Sequence, residues 1–151
     1  MKRTAMRRAA AVAAVCAATL LGGCGDNSGP EDVSGAWEGS LTLNLAGGGA
    51  LAGDLDLVLT QDDSFAAGGF TWTPIGETLS VAGPIDGVDI TLRILFRCED
   101  TFETAVIEGR VDGDSIDIDE ASGKACALDG APVDVVDGSG SLTRASDGAP
   151  F

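Results

Sequence analysis

The residues able to carry chemistry in this chain are few, and the commonest catalytic ones are missing. The 151-residue sequence has no histidine and no tyrosine. Serine–histidine–aspartate and cysteine–histidine nucleophile systems are therefore excluded, as are metal sites built on imidazole. Carboxylates are abundant, with 24 Asp and Glu against nine Lys and Arg. Glu99 and Glu103 are residue types that glycoside hydrolysis uses in pairs, yet in a chain this acidic such pairs arise by chance. The run Asp112, Asp114, Asp117, Asp119 and Glu120 offers the hard oxygen donors that calcium takes, without the loop length or ligand spacing of a calcium-binding hand. Asp117 and Asp119 simply alternate with Ile116 and Ile118, as the outward residues of a half-buried strand do. The expectation is a chain that is not an enzyme and takes no metal or cofactor. What remains reactive is sulfur, at Cys16, Cys24, Cys98 and Cys126.

The segments around these cysteines decide what each can do. Lys2, Arg3, Arg7 and Arg8 precede an apolar run from Ala9 to Leu21, and Gly22 and Gly23 follow it. A positive start, a short apolar stretch and small residues at its end are the three zones of an export signal, here residues 1–23 and helical in period. The run is too short to span a bilayer as a stable helix. Cys16 lies inside it. The string Leu21-Gly22-Gly23-Cys24 resembles the lipobox of bacterial lipoproteins. That resemblance implies cleavage before Cys24, acylation of its thiol, and a mature chain whose membrane partner is reached through acyl chains. It also implies a cell-envelope address. Gly25 stands where an inner-membrane retention signal would place aspartate, so the outer membrane is the default. Cys98 and Cys126 are then the two cysteines left, and in an exported chain such a pair forms a disulfide, with two free buried thiols as the alternative.

Removal of the signal also shifts the charge. Four of the nine basic residues leave with it, so residues 24–151 carry five basic against all 24 acidic side chains, a formal net charge of −19. Nucleic acid is excluded as a partner, because a phosphate backbone is bound by clustered Lys and Arg that displace its counterions. By net charge the surface would not adhere to an anionic membrane either, leaving the holding to the acyl chains. Residues 24–32 read as a flexible tether, since Gly-Asp-Asn-Ser-Gly-Pro-Glu-Asp has nothing apolar to bury. Such a coil reaches roughly 16 Å, so the folded part sits close above the membrane.

Residues 33–146 form one domain with a period-two pattern, broken every ten residues or so by Gly, Asp and Pro, and residues 147–151 are a tail. Trp37, Leu41, Leu43 and Leu45 alternate with Ser40, Thr42 and Asn44, and Leu55, Leu57 and Leu59 with Asp54, Asp56 and Thr60, apart from Val58. Val88, Ile90, Leu92, Ile94 and Phe96 give the longest alternation. Asp112-Gly113 marks a hairpin, because this pair tolerates the positive φ of a type I′ turn. The pattern predicts about eight antiparallel strands at 35–46, 50–61, 65–73, 77–83, 87–97, 102–112, 114–120 and 138–145, with one long connection, 121–137, that carries Cys126. The fold class is all-β, and short successive connections favour an up-and-down barrel, with a two-sheet sandwich as the alternative.

Gly35-Ala36-Trp37 at the start of the first strand, with Arg144 near the end of the last, resembles the signature of the lipocalin and avidin group, the calycins. The resemblance implies that Trp37 closes one end of the barrel and that Arg144 packs across it. It covers residues 35–144 in pattern and rests on these three residues. Two functions follow as expectations. The first is a binding module for a small apolar or amphipathic ligand held in the lumen by Phe70, Trp72, Leu92 and Phe96, with Gly83, Gly109 and Gly140 leaving space. The second is a non-enzymatic envelope structural or protein-interaction lipoprotein with a solid barrel, engaging an envelope protein mainly through 121–137. The volume inside the barrel separates them.

Overall fold

The computed structural model describes residues 29–145. The expected signal 1–23, Cys24, the first part of the expected tether and the expected tail 147–151 lie outside the described residues. Eight strands follow in order: β1 (Gly35–Leu45), β2 (Ala50–Asp62), β3 (Phe65–Trp72), β4 (Thr78–Asp86), β5 (Asp89–Arg97), β6 (Phe102–Asp112), β7 (Ser115–Cys126) and β8 (Pro132–Arg144). Each is antiparallel to the next, and β8 returns to pair with β1, so the sheet closes into an up-and-down barrel rather than a sandwich. Closure leaves every strand with two partners and no free edge. The tight turns sit where the sequence places flexible residues, with Gly87 at a φ of 62° and Gly113 at 60°.

Alternation decides what each strand buries. In β5 the side chains of Ile90, Leu92, Ile94 and Phe96 are buried, while Arg93, Leu95 and Arg97 face out. The same rule in β1 and β2 turns Trp37, Leu41, Leu43, Leu55, Leu57 and Leu59 inward. Among the described residues no polar or charged side chain is buried, so the core is wholly apolar. That burial is the main favourable term, at about 25 cal/mol for each Å² of apolar surface removed from water.

One expectation is corrected. The stretch 121–137 is not a long loop: β7 runs on to Cys126, β8 begins at Pro132, and only 127–131 connects them. The reason is a change of phase. A register shift between Glu108 and Gly109 on β6 leaves Asp119 and Glu120 both exposed on β7. The buried set then moves from Ile116 and Ile118 to Ala121 and Ala125. A second shift, between Asn44 and Leu45 on β1, moves the buried set of β8 from Val135 to Gly138 and Leu142. Bulges of this kind interrupt alternation without ending a strand.

Candidate functional site

Two regions answer the questions that the sequence raises, the end of the barrel where the chain enters and the lumen behind it. At the entry end, Trp37 and Arg144 are directly opposed in the β1–β8 register. The Arg144 guanidinium carbon lies 4.3 Å from the centroid of the Trp37 ring. Its Nη1 donates to the Ser34 carbonyl at 2.7 Å, its Nη2 to the Asp32 carbonyl at 2.9 Å, and its Nε to the Asp114 carboxylate at 3.0 Å. The cation is thus shared between an aromatic face, two backbone acceptors and one exposed carboxylate, which suits a side chain only 31% exposed. Gly35 makes room for it, with a φ of 117° and a missing Cβ that would stand 3.5 Å from Nη1.

The segment just before β1 is part of this arrangement. The Glu31 amide donates to the Gly87 carbonyl at 2.8 Å, and the Val33 amide to the Gln61 side-chain oxygen at 2.7 Å. Gln61 Nε2 in turn donates to the carbonyls of Glu31 and Asp63. Val33 is fully buried, and its carbonyl accepts the Trp37 indole N–H at 2.9 Å. Glu31 to Ser34 therefore form a strap across the barrel end, from the β4–β5 turn to β1, with Val33 as its plug. The tether expected through residue 32 stops short of it, because Glu31 and Asp32 supply backbone groups to this network. Both the hydroxyl and the amide of Ser34 donate to the Asp32 carboxylate. With the nearby Arg144 charge, these bonds hold its pKa below the ordinary 3.8. In the sequence the strap leaves only a faint trace, a lone apolar Val33 after a polar run, because its other contacts are made through backbone groups.

The lumen is filled. Phe70 and Trp72 lie on the same inward face of β3, with ring centroids 6.0 Å apart and planes at 65°. The Trp72 indole N–H is satisfied by the carbonyls of Leu41 and Gly53, each at 3.2 Å. Phe70, Trp72, Leu92 and Phe96 are all buried among the other strands' aliphatic side chains. The space bounded by Leu57, Leu92, Ile107, Ile116 and Leu142 amounts to about 10 Å³. That is room for a water molecule at most, whereas small-molecule sites run to several hundred Å³. The inward glycines do not leave the space expected of them. A Cβ on Gly83 would stand 1.8 Å from the Thr91 carbonyl oxygen, one on Gly109 2.2 Å from that of Asp117, and one on Gly140 2.6 Å from that of Ser40. These positions are occupied by the neighbouring strand's backbone, and glycine marks that close approach.

At the opposite end, Cys98 and Cys126 form a disulfide, which ties the β5–β6 loop to the end of β7. The Glu99 amide donates to the Gly130 carbonyl at 3.0 Å and joins the β5–β6 loop to the β7–β8 connection as well. Leu128, 81% exposed on this rim, overhangs an open depression of about 420 Å³ lined by Ala50, Ala52, Asp54, Thr73 and Pro74. Lys124, its pKa raised by the hydrogen bond and charge of Asp134, makes a surface ion pair with it at 3.0 Å. Among the described residues no group of three Cys, Asp or Glu side chains is placed to hold a metal ion. Comparison of the chain with protein-family models, curated proteins and solved structures finds no match.

Proposed function

We propose that the mature chain is a lipid-anchored envelope lipoprotein with a solid barrel, acting through its outer surface as a non-enzymatic structural or interaction module. The observation that carries this reading over a lumenal carrier is the packing of the interior: Phe70, Trp72, Leu92 and Phe96 are all buried, and the cavity among Leu57, Leu92, Ile107, Ile116 and Leu142 holds only about 10 Å³. A ligand of fatty-acid size would have to displace several of the largest buried side chains, each worth about 1.5–3 kcal/mol by its burial. The anchor itself rests on the lipobox resemblance at Cys24. Work at the surface suits the remaining chemistry, which offers no histidine and, among the described residues, no buried charge. The test is titration of the full-length lipidated protein with an environment-sensitive apolar fluorophore of naphthalene size. The wild type is expected to give no saturable binding, and Phe96→Ala, which opens a cavity large enough for a ring, to acquire it. Saturable binding by the wild type, competed by a fatty acid, would return the lumenal-carrier reading.

A further inference from the structure

The surface charge of the barrel is sided. On β3 the outward residues are Phe65, Ala67, Gly69 and Thr71, and on β4 they are Thr78, Ser80, Ala82 and Pro84. On β5 they are Thr91, Arg93, Leu95 and Arg97, followed on β6 by Phe102, Thr104 and Val106. These positions are neighbours in register, as Ala67 with Ala82, Ala82 with Arg93 and Arg93 with Val106. Four adjacent strands thus present a strip about 15 Å wide without one carboxylate, in a chain with 24 acidic residues. The strip carries three exposed large apolar side chains, Phe65 at 50%, Leu95 at 43% and Phe102 at 66%. Arg93 and Arg97, about 13 Å apart along β5, are two of the five basic residues left after the signal, and the other three are all ion-paired. The carboxylates of these strands bound the strip at both ends: Asp86, Asp89 and Glu108, the last opposite Thr91, lie toward the strapped end, with Asp89 paired to Arg110, and Glu103 of β6 lies with Glu99 and Asp100 of the β5–β6 loop at the other end, beside Arg97 and Phe102. Uncharged small residues, exposed apolar rings and arginines that make no ion pair among the described residues are the composition of a covered surface.

The path of the chain says what covers it. The strap enters the barrel end at the β4–β5 turn, where Glu31 is bonded to Gly87, at the end of the strip's two central strands. Seven residue steps separate Glu31 from Cys24 and span at most about 25 Å, which keeps this face within reach of a membrane that holds an acylated Cys24. A second copy is a poor occupant in a two-fold contact, since its matching face brings the same two guanidiniums and no carboxylate. We infer that the β3–β6 face lies against the anionic phospholipid headgroups of the membrane that bears the anchor, with Arg93 and Arg97 on phosphates and the acidic side turned away. The inference rests on the lipid anchor proposed above. It also refines the expectation from net charge, which averages over a surface that is not uniform.

Two arginines at an anionic surface favour this orientation by roughly 30-fold. The test uses the full-length lipidated protein in vesicles of phosphatidylglycerol and phosphatidylethanolamine, with the photocrosslinking residue benzoylphenylalanine at Thr104 or, on the far side, at Ser139. Lipid adducts at Thr104 should exceed those at Ser139 by about tenfold or more. The two should become equal in phosphatidylcholine vesicles and in Arg93→Gln/Arg97→Gln, a surface change that leaves the core intact. Equal labelling in the anionic vesicles overturns the inference while leaving the anchor standing, as does a protein adduct in place of lipid at Thr104 in native envelopes. A chain recovered without acyl groups removes the anchor reading, and this inference with it.

Discussion

Replacement of Arg144 by methionine keeps an unbranched apolar stem and removes the guanidinium. Three interactions go with it. The cation on the Trp37 ring, at 4.3 Å, is worth about 0.5–2 kcal/mol. The two hydrogen bonds to the Ser34 and Asp32 carbonyls are charge-assisted, at about 1.5–3 kcal/mol each when measured singly. The Asp114 pair adds little, because that carboxylate is 87% exposed, and such pairs contribute about 0–1 kcal/mol. The contributions overlap in one side chain that still meets solvent, so the expected net loss is about 2–4 kcal/mol, a large part of the ~5–15 kcal/mol typical of a domain. Urea unfolding followed by far-ultraviolet circular dichroism measures it, with an unchanged m-value expected. Thermal unfolding should fall by about 10 °C. The loss should persist in 1 M salt, where exposed pairs are screened to about 3 Å. Asp114→Asn should cost less than about 1 kcal/mol. If Arg144→Met costs no more than Asp114→Asn, or if its cost vanishes in salt, the Trp37–Arg144 closure does not hold the strap.

Other perturbations test other parts of the structure. Reduction of the non-denatured protein should add two hydrogens to its mass, and Cys98→Ser/Cys126→Ser should lower stability by about 3.5 kcal/mol for a bridge spanning 28 positions. Gly83→Val should cost more than about 3 kcal/mol in urea unfolding, or prevent folding, because its Cβ meets backbone that cannot rotate away. Asp32→Asn should destabilise slightly at neutral pH. A carboxyl whose folded pKa lies below 3.8 contributes stability above that value and loses it as pH falls through the folded pKa. The difference between variant and wild type should therefore close below about pH 3.8, and a difference that grew on acidification would contradict the assignment.

The barrel was legible wherever alternation ran uninterrupted. The predicted limits of the first six strands fall within three residues of those observed, because one apolar face and short glycine turns leave little freedom in register. β7 and β8 were read short for two reasons. Bulges change the phase of the pattern midway, and the inward residues beyond them, Ala121, Ala125 and Gly138, are too small to register as apolar. The opposition of Trp37 and Arg144 was legible from the ends of the chain pattern, since closure of an even-numbered meander makes first and last strands neighbours. The strap was not, because Glu31 and Asp32 act through their backbones, which composition does not reveal. Nor was the filling of the lumen. A glycine on an inward position reads as space from sequence, and only the coiling of the strands shows that the neighbouring backbone takes it up.

The central claim, a solid barrel carried on a membrane by Cys24, is tested most directly by the intact mass of the protein purified from membranes of a bacterium that processes lipoproteins. The account predicts a chain beginning at residue 24 with the added mass of acyl groups, and unacylated or uncleaved protein for Cys24→Ser. A wild-type chain that retains residues 1–23, or begins at another residue and carries no acyl mass, would contradict it.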